Sequence, residues 1–528
     1  MTDPFDKQIA SSETERSRLW RSILAAGLLA GLSLRIYLLR VIHTPGQWDA
    51  AFYYTVAKNI VLGRGLVVDY VWHFVNGPSP LTHYSSDFWH PLTSYVMAVP
   101  MRLFGISVSS ALIASIAAGM GVTFVAIALG KIHGPPEDAR VMSVILSFFA
   151  PYAIQTSLAT DSVIYFSLAG MLTLYFTIKA RRSPQYFLLA AVFSGLGHLT
   201  RQDGILLIGT ILVCLFIAPE SGRNKLLLAA GTIGIHLLVL SPLMVKNYRE
   251  LHSLFPPGPP MTRFLTEHDD VYAFGETFTF RTYWKEFGLQ GILQNKLQTA
   301  YFHALQANSV LDPVVVVLLG ISLADLAFIR RDKQRLLFFL PAVVYTSLTY
   351  FFYVFVASFA LFSAQKSLVA LMSFIAILVM DFASRRIRYK PFLMGLWFGL
   401  TLYLGAQGYF RTLSSNATFE AAYDRMRATQ PAIGRDAAQR DLGPGEIIVM
   451  THDPWHYYEA TGWPTVMIPN NDLETILRVA DLYHATYLLL PAPREALRGI
   501  YAGIESHPRL DPLDPPGEIR IFRILPGP

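Results

Sequence analysis

Four charged residues have side chains that could carry acid–base and anion-binding chemistry. Asp49 lies in the first turn of a predicted helix, Asp161 and Arg201 lie between apolar runs, and Lys366 begins another run. A carboxylate can remove a hydroxyl proton, and guanidinium and ammonium groups hold phosphate oxygens. Each residue also has a structural interpretation: helix capping for the aspartates, pairing with Asp203 for Arg201, and snorkelling for Lys366.

Asp49 belongs to a segment with a clear helical pattern. A Pro45-Gly46 turn precedes it, and apolar residues then recur at every fourth position: Trp48, Phe52, Val56 and Ile60. This spacing predicts a helix of about fifteen residues with one apolar stripe, ended by Gly63-Arg64-Gly65. Such a helix is expected to lie in the membrane interface.

Further candidates lie in two long polar segments, 43–106 and 246–304. His90 begins a second amphipathic stretch, His90-Pro91-Leu92 to Leu103-Phe104-Gly105, and is either a cap or a ligand. His252 and Arg263 flank a proline cluster at 255–260. Segments of this length without predicted structure are more often functional than filler.

The composition indicates which elements must position these residues. The chain has 528 residues, of which 53% are hydrophobic and 15% charged, against about 25% charged in soluble domains. This excludes a disordered chain and argues against a cytosolic globular enzyme. Cys214 is the single cysteine, so an intrachain disulfide is impossible.

Apolar runs long enough to cross a bilayer predict about eleven transmembrane helices. They lie at roughly 19–42, 107–130, 141–158, 162–178, 186–200, 204–219, 226–245, 305–328, 336–357, 364–383 and 391–410. Lysine and arginine concentrate in alternate loops, which predicts a cytoplasmic N-terminus and an outside C-terminus. The net charge of +6 is therefore a topology signal, and no nucleic-acid partner is expected.

The expected fold class is an all-α polytopic membrane protein with a small C-terminal α/β domain outside the cytoplasm. The membrane domain is 1–410, with outer loops 43–106 and 246–304, and the tail domain is 411–528. Buried strands are predicted at 446–450, 465–468, 486–490 and 518–525, with a helical stripe at 473–480.

This topology brings Asp49, Asp161, Arg201 and Lys366 to one membrane face. Acids and cations at a membrane surface suit glycosyl transfer from a lipid phosphate, since one carboxylate accepts the acceptor proton and cations stabilise the leaving phosphate. Arg263 is a further phosphate-binding candidate, and His90, Asp203 and His252 are other candidates for the site.

The order of these segments resembles the GT-C glycosyltransferases, in the branch of protein O-mannosyltransferases and lipid A aminoarabinose transferases. The matching segments are Trp48 to Ile60 with Gly63-Arg64-Gly65, His90-Pro91-Leu92 with Leu103-Phe104-Gly105, Thr160-Asp161, and Leu199 to Gly204. The resemblance covers the first 245 residues well and the remaining spans in outline.

The resemblance implies that Asp49 is the catalytic base and Asp161 a second active-site carboxylate, and that Arg201 and Lys366 bind the carrier phosphate. It implies a polyprenyl-phosphate sugar donor, an acceptor outside the cytoplasm (lipid, glycan or protein) and a bacterial or archaeal plasma membrane. Direct displacement with inversion is favoured.

The sequence departs from the family at two positions. Ala50 stands where the family usually has a second acid, and His90-Pro91 stands where it often has two prolines. One carboxylate is a poor cation cage, so a divalent cation is possible but not required.

Two other classes remain as alternatives. A transporter or flippase of a lipid-linked intermediate is disfavoured by the sparse charge at the membrane midplane, where His198 and His236 are the main polar residues. A receptor anchored by its membrane part is disfavoured because it would not need about eleven spans.

Overall fold

The computed structural model describes residues 4–219, 221–265, 267–310, 313–357, 363–513 and 519–527. Its helices are α1 (Pro4–Leu38), α2 (Trp48–Val61), α3 (Leu92–Phe104), α4 (Val108–His133), α5 (Glu137–Phe148), α6 (Pro151–Ser157), α7 (Val163–Ala180), α8 (Tyr186–Thr200), α9 (Ile205–Ile217), α10 (Gly222–Leu251), α11 (Gly258–Met261), α12 (Phe280–Val310), α13 (Pro313–Ala324), α14 (Lys333–Phe355), α15 (Ser363–Leu368), α16 (Met372–Arg386), α17 (Lys390–Arg427), α18 (Gln430–Gln439), α19 (Pro454–Thr461), α20 (Leu473–Leu482) and α21 (Arg498–Ala502).

Strands are few and short. They are β1 (Val67–Val68), β2 (Tyr70–Val71), β3 (His83–Tyr84), β4 (Val449–Thr451), β5 (Thr465–Met467), β6 (Tyr487–Leu490), β7 (Leu510–Pro512) and β8 (Arg520–Ile524). The predicted architecture, a helical membrane part with a small C-terminal α/β sheet, is confirmed.

Six helical segments among the described residues are long and apolar enough to cross a membrane. They are Glu15–Leu38, Val108–His133, Val163–Ala180, Gly222–Leu251, Lys333–Phe355 and Ser363–Arg386, and α8 and α9 are shorter apolar helices. The run predicted at 141–158 is divided into α5 and α6, because Pro151 begins a new helix after an extended Ala150. The run predicted at 305–328 crosses α12 and α13, with residues 311–312 outside the described part.

The C-terminal sheet includes one strand, β2, from the N-terminal part of the chain. The sheet order is β2-β5-β4-β6-β8-β7, with β2 parallel to β5 in the register Tyr70↔Thr465 and Val71↔Val466. Strands β4, β5 and β6 are mutually parallel, and β8 is antiparallel to both β6 and β7. We call the end of the helix bundle that meets this sheet the sheet end.

Four tail strands (β4, β5, β6 and β8) and one helix lie at the predicted positions within a few residues, whereas β2, β7 and α19 were not predicted. The start of the last predicted strand, Glu518, lies outside the described residues. Helix α17 runs without interruption through the expected boundary at 410. A single apolar cluster joins residues of α2, α3 and α4 to β2 and the tail sheet, so the tail packs directly on the membrane part.

Helix α2 is buried more extensively than a single apolar stripe predicts. It has the predicted bounds and ends before Gly63 and Gly65, both of which have positive φ angles of 79° and 82°. It is buried over most of its length, because it packs against both α3 and α19. The stripe of apolar residues alone could not reveal that the tail covers the helix.

Candidate active site

Helix α2 presents Asp49 at its N-terminus, beside the sheet end. Gln47 is the extended residue that begins the helix, and Asp49 lies in the first turn, where a negative charge suits the helix dipole. The indole ring of Trp48 stacks on that of Trp455 from α19, with ring centroids 5.9 Å apart. The tail therefore helps to fix the helix end that carries the acid.

Lys366 joins the two candidate acids. Its Nζ donates to Oδ2 of Asp49 at 2.6 Å and to Oδ2 of Asp161 at 3.0 Å. The three residues come from α2, from the link between α6 and α7, and from α15. Side-chain exposure is 28% for Asp49, 3% for Asp161 and 12% for Lys366, so Asp49 is the accessible carboxylate.

Neighbouring donors hold Asp161 in place. The Gln47 amide donates to its Oδ2 at 2.7 Å, and the Ser162 amide and hydroxyl donate to its Oδ1 at 2.5 and 3.0 Å. Burial acts to raise the pKa of Asp161, but the charges of Lys366 and Arg201 and these hydrogen bonds outweigh it and lower the pKa. Asp161 is thus an ionised, saturated carboxylate.

A second cluster forms around Asp203. Its Oδ1 accepts from Nε of Arg201 at 3.0 Å, and its Oδ2 accepts from the Tyr353 hydroxyl at 2.9 Å and from the Ser367 hydroxyl. The Arg201 Nη1 group reaches the Ser162 hydroxyl at 3.5 Å, and Ser367 follows Lys366 in the chain. The two clusters are therefore connected twice, through Arg201 with Ser162 and through Lys366 with Ser367.

A cavity of about 550 Å³ opens beside these clusters. Asp49, Arg201, Asp203, Lys366 and Arg263 supply its charged lining. Much of the remaining lining is aromatic and apolar, including Trp48, Trp72, Phe88, Trp89, Phe255 and Trp455. A mostly apolar cavity with a few convergent polar groups is the usual form of a ligand site.

The remaining predicted site residues have different surroundings. His90 is buried and lines the cavity, and its Nδ1 contacts the carbonyl oxygen of His198. Arg263 is exposed in a single-turn helix at 262–264 and lines the same cavity. His252 ends α10 with a φ angle of 52° and is exposed, and it is not among the residues that line this cavity.

The structure shows the surroundings of several residues for which the sequence left a structural and a functional interpretation open. Asp49 lies in the first turn of α2, as expected of an acid that complements the helix N-terminus, whereas the side chain of His90 does not cap α3. Lys366 is ion-paired with both Asp49 and Asp161. The Arg201–Asp203 pair, predicted as one of two readings, is present. His198 and His236 are buried and hydrogen-bonded to each other at 3.2 Å, as packed core histidines are.

Several residues of the site were not predicted from the sequence. Gln47 directly precedes the Trp48–Ile60 segment, two positions before Asp49, so its position next to that segment was the available signal. Tyr353 and Ser367 lie within apolar runs and contribute only a hydroxyl each, which no spacing rule identifies. Trp455 belongs to the tail, which sequence reasoning treated as a separate domain.

The tail contacts α2 through polar bridges as well. Lys58 Nζ pairs with Glu459 at 2.9 Å, and the Thr55 hydroxyl donates to the same carboxylate at 3.1 Å. His456 lies with Nδ1 2.7 Å from Asp453 Oδ2 and Nε2 2.7 Å from the Gly46 carbonyl oxygen. Burial lowers the pKa of His456, but Asp453 and the carbonyl dipole outweigh burial and raise the pKa.

Part of the chain matches a known protein family. Residues 89–245 match the family model described as dolichyl-phosphate-mannose-protein mannosyltransferase. A search of curated protein sequences found no match.

Solved structures resemble most of the chain. ArnT from Cupriavidus metallidurans bound to undecaprenyl phosphate aligns with a TM-score of 0.58 at 12% identity, covering 95% of this chain and 98% of that one. An oligosaccharyltransferase from Archaeoglobus fulgidus, in complex with Zn and sulfate, aligns with a TM-score of 0.55 at 14% identity, covering 88% and 67%. The archaeal oligosaccharyltransferase AglB, bound to an inhibitory peptide and a dolichol-phosphate, aligns with a TM-score of 0.54 at 12% identity, covering 89% and 69%.

At these identities the likeness establishes the fold. Both groups of structures are GT-C enzymes, and the match of the family model falls on the segment that runs from Trp89 into α10. The chain is a multi-pass membrane protein with the GT-C glycosyltransferase fold, and it resembles the branch that contains ArnT and the protein O-mannosyltransferases.

Proposed function

We propose that the protein transfers one sugar from a polyprenyl-phosphate-linked donor to an acceptor outside the cytoplasm. The observation that carries this proposal is the placement of an accessible carboxylate, Asp49, beside Lys366 and Arg201 at one cavity of about 550 Å³. Such a site can accept a proton and stabilise a leaving phosphate within the same enclosure.

Asp49 is the proposed general base. The acceptor hydroxyl oxygen forms a bond to the anomeric carbon while its proton passes to Asp49. The bond between the anomeric carbon and the phosphate oxygen breaks, and the phosphate leaves with the electron pair. A single displacement of this kind inverts the anomeric configuration. Asp161 is buried and saturated by donors, so its proposed part is to hold Lys366 and Gln47.

Arg201, Lys366 and Arg263 are the proposed ligands of the carrier phosphate. All three line the cavity. Arg201 is held by Asp203 through Nε, which orients its guanidinium before a donor enters. Preorganised cations of this kind act where charge develops as the phosphate leaves.

The relatives support a lipid-linked donor. ArnT has been solved with undecaprenyl phosphate, and AglB with a dolichol-phosphate and a peptide. The apolar lining of the cavity, from Phe352 and Val356 to the proline cluster, suits an isoprenoid chain that enters from the membrane. The acceptor class is a lipid, a glycan or a protein.

The proposed orientation has a cytoplasmic N-terminus and an outside C-terminus, in a bacterial or archaeal plasma membrane. In this orientation the sheet end, and with it the cavity, faces outward. The proposed domains are 1–410 for catalysis and 411–528 for the outer sheet. A reporter that is active only outside the cytoplasm should be active when fused after Leu525, whereas activity of a cytoplasmic reporter at that point would overturn the orientation.

The decisive experiment uses purified protein and labelled polyprenyl-phosphate sugars, and it measures release of the free carrier phosphate. Release that depends on an added acceptor supports the transferase. Passage of the sugar-lipid across a vesicle membrane without release would identify a flippase instead.

A further inference from the structure

The carboxylates of Asp49 and Asp161 point at one position, and the ammonium group of Lys366 occupies it. Oδ2 of Asp49 and Oδ2 of Asp161 lie 2.6 and 3.0 Å from Nζ of Lys366. Carboxylate oxygens converging in this way are the ligands that Mg²⁺ or Mn²⁺ would use. A divalent cation there would have to displace the ammonium group.

Lys366 is not free to leave this position at low cost. The next residue, Ser367, donates its hydroxyl to Asp203 and accepts at its carbonyl from the Tyr345 hydroxyl at 3.0 Å. Helix α15 is therefore anchored beside the lysine. Withdrawing the ammonium would leave two acids facing each other in a largely buried setting, which is strongly unfavourable.

The surrounding groups do not complete a metal site. Within the described part of the chain, no group of three or more histidine, cysteine, aspartate or glutamate side chains is arranged to hold a metal ion. Gln47 directs its amide nitrogen, not its oxygen, at Asp161. Ala50 follows Asp49 and offers no ligand. The residues present therefore do not fit a resident divalent cation.

We propose that Lys366 is the permanent cation of this site and takes the place of a divalent metal ion. Its ammonium balances the two acids, fixes the position of Asp49 and excludes metal ions by charge repulsion. The inference extends the proposed function, on which its activity measurement rests, whereas its metal-binding measurement stands without it.

The test measures Mn²⁺ binding to the full-length protein in detergent by electron paramagnetic resonance. The wild-type protein should bind no Mn²⁺ that depends on Asp161. Lys366→Met removes the charge with a similar chain length and should create a site that depends on Asp161. The variant should bind Mn²⁺ at least about tenfold more tightly than any residual binding by the wild-type protein, because a repelling charge at short range is gone. Adding Asp161→Asn to Lys366→Met should abolish the new site.

Two control variants test whether the new Mn²⁺ site results from loss of the positive charge at position 366. The alternatives are that any change at this position, or loss of any lysine, would create it. Lys366→Arg keeps the positive charge and should stay free of Mn²⁺. Lys58→Met removes a lysine that pairs with a single carboxylate, Glu459, and should create no Mn²⁺ site. In the activity measurement, wild-type release of carrier phosphate should be unchanged by a chelator.

Three results would overturn the proposal. The first is Asp161-dependent Mn²⁺ binding to the wild-type protein. The second is a chelator-induced loss of release that Mn²⁺ restores. The third is a folded Lys366→Met protein that binds no Mn²⁺. If the wild-type protein released no carrier phosphate at all, the proposed function would fail while the binding results still decided this inference.

Discussion

Two pairs of ion-paired aspartates lie near opposite ends of the helix bundle, and they are neutralised in different ways. At the sheet end, Asp49 and Asp161 share one ammonium group, that of Lys366. At the other end, Asp325 and Asp381 are paired with four arginines, namely Arg330, Arg335, Arg385 and Arg386. Lys366 and Asp381 belong to the same candidate span, 363–386.

The difference separates an anchor from a reactive site. Asp381 receives Arg335 at 2.6 Å, Arg385 at 2.8 Å and Arg330 at 3.2 Å, so its oxygens are saturated, and it is 2% exposed. Asp49 has one cationic partner and faces the large cavity. Burial and ion pairing occur at both ends, so accessibility and incomplete saturation are what point to chemistry.

The strongest test of this comparison replaces one aspartate at each end. Asp49→Asn keeps the shape of the side chain but cannot accept a proton, and loss of a general base costs about 10²–10⁴ in rate. We therefore expect a folded, donor-binding protein with almost no turnover. Asp381→Asn should keep turnover per folded molecule near the wild-type value, measured as carrier phosphate release.

Turnover of Asp49→Asn above about a tenth of the wild-type rate would remove Asp49 from the mechanism. Asp161→Asn should be measured beside Asp49→Asn, since Asp161 lies on the other side of Lys366 and is the other carboxylate that could accept the proton. If Asp161→Asn lost all turnover while Asp49→Asn did not, the base would be Asp161.

The second prediction concerns stability at the arginine-rich end. Removing one partner from a buried ion-pair network costs about 3–5 kcal/mol, because uncompensated charges remain. Asp381→Asn should therefore lower the free energy of unfolding by this amount, measured by chemical denaturation in detergent micelles. Asp49→Asn should cost less, since Asp49 is the more exposed acid and Asp161 still pairs with Lys366. An equal loss in both variants would contradict the distinction between the two ends.

The third prediction concerns donor affinity. If Arg201 holds the carrier phosphate, Arg201→Ala should weaken donor binding by about 1.5–3 kcal/mol, the scale of a hydrogen bond to a charged group. Lys366→Ala should act in the same direction with a smaller effect, because two acids already engage its ammonium group. Titration with a labelled polyprenyl-phosphate sugar measures both.

The matched control for donor affinity is Arg385→Ala at the other end of the bundle. Arg385 also pairs with a buried aspartate, so it tests whether loss of any such pair perturbs the donor site. Donor affinity that is unchanged in Arg201→Ala and Lys366→Ala would assign both residues to structural ion pairs.

The sequence predicted the charged residues of the sheet end but not how they pair. Loop charges and apolar runs predicted which charged residues share a membrane face, and the structure brings Asp49, Asp161 and Lys366 together although 317 positions separate the first from the last. The pairing of Lys366 with both acids was not predictable, because spacing gives the face of the membrane and not the direction of a side chain.

The tail shows why the rest could not be predicted. Strands β4, β5 and β6 follow from local apolar patterns, but β2 has only two residues and exists because β5 lies beside it. Helix α19 offers no long stripe, and its aromatic residues read equally well as a loop. Short elements of this kind are specified by distant partners, which a single sequence does not reveal.

The smallest expected effect lies at the junction between the tail and α2. His456 lies between Asp453 and the Gly46 carbonyl oxygen, and its pKa is raised above the ordinary value. A raised pKa in the folded state means that the protonated form stabilises the fold. This stabilisation is complete below the ordinary histidine pKa and is lost as the pH rises through the raised pKa.

His456→Gln keeps an amide that can reach Gly46 but carries no titratable proton. We expect it to lower the free energy of unfolding by about 1 kcal/mol in acid and by progressively less as the pH rises, measured by denaturation at several pH values. In an Asp453→Asn background the pH dependence of this cost should shrink, because the carboxylate that raises the pKa of His456 is gone. A cost that did not change with pH in the wild-type background would mean that His456 acts through packing against Phe419 and Tyr423, and the tail would then hold α2 by shape and not by charge.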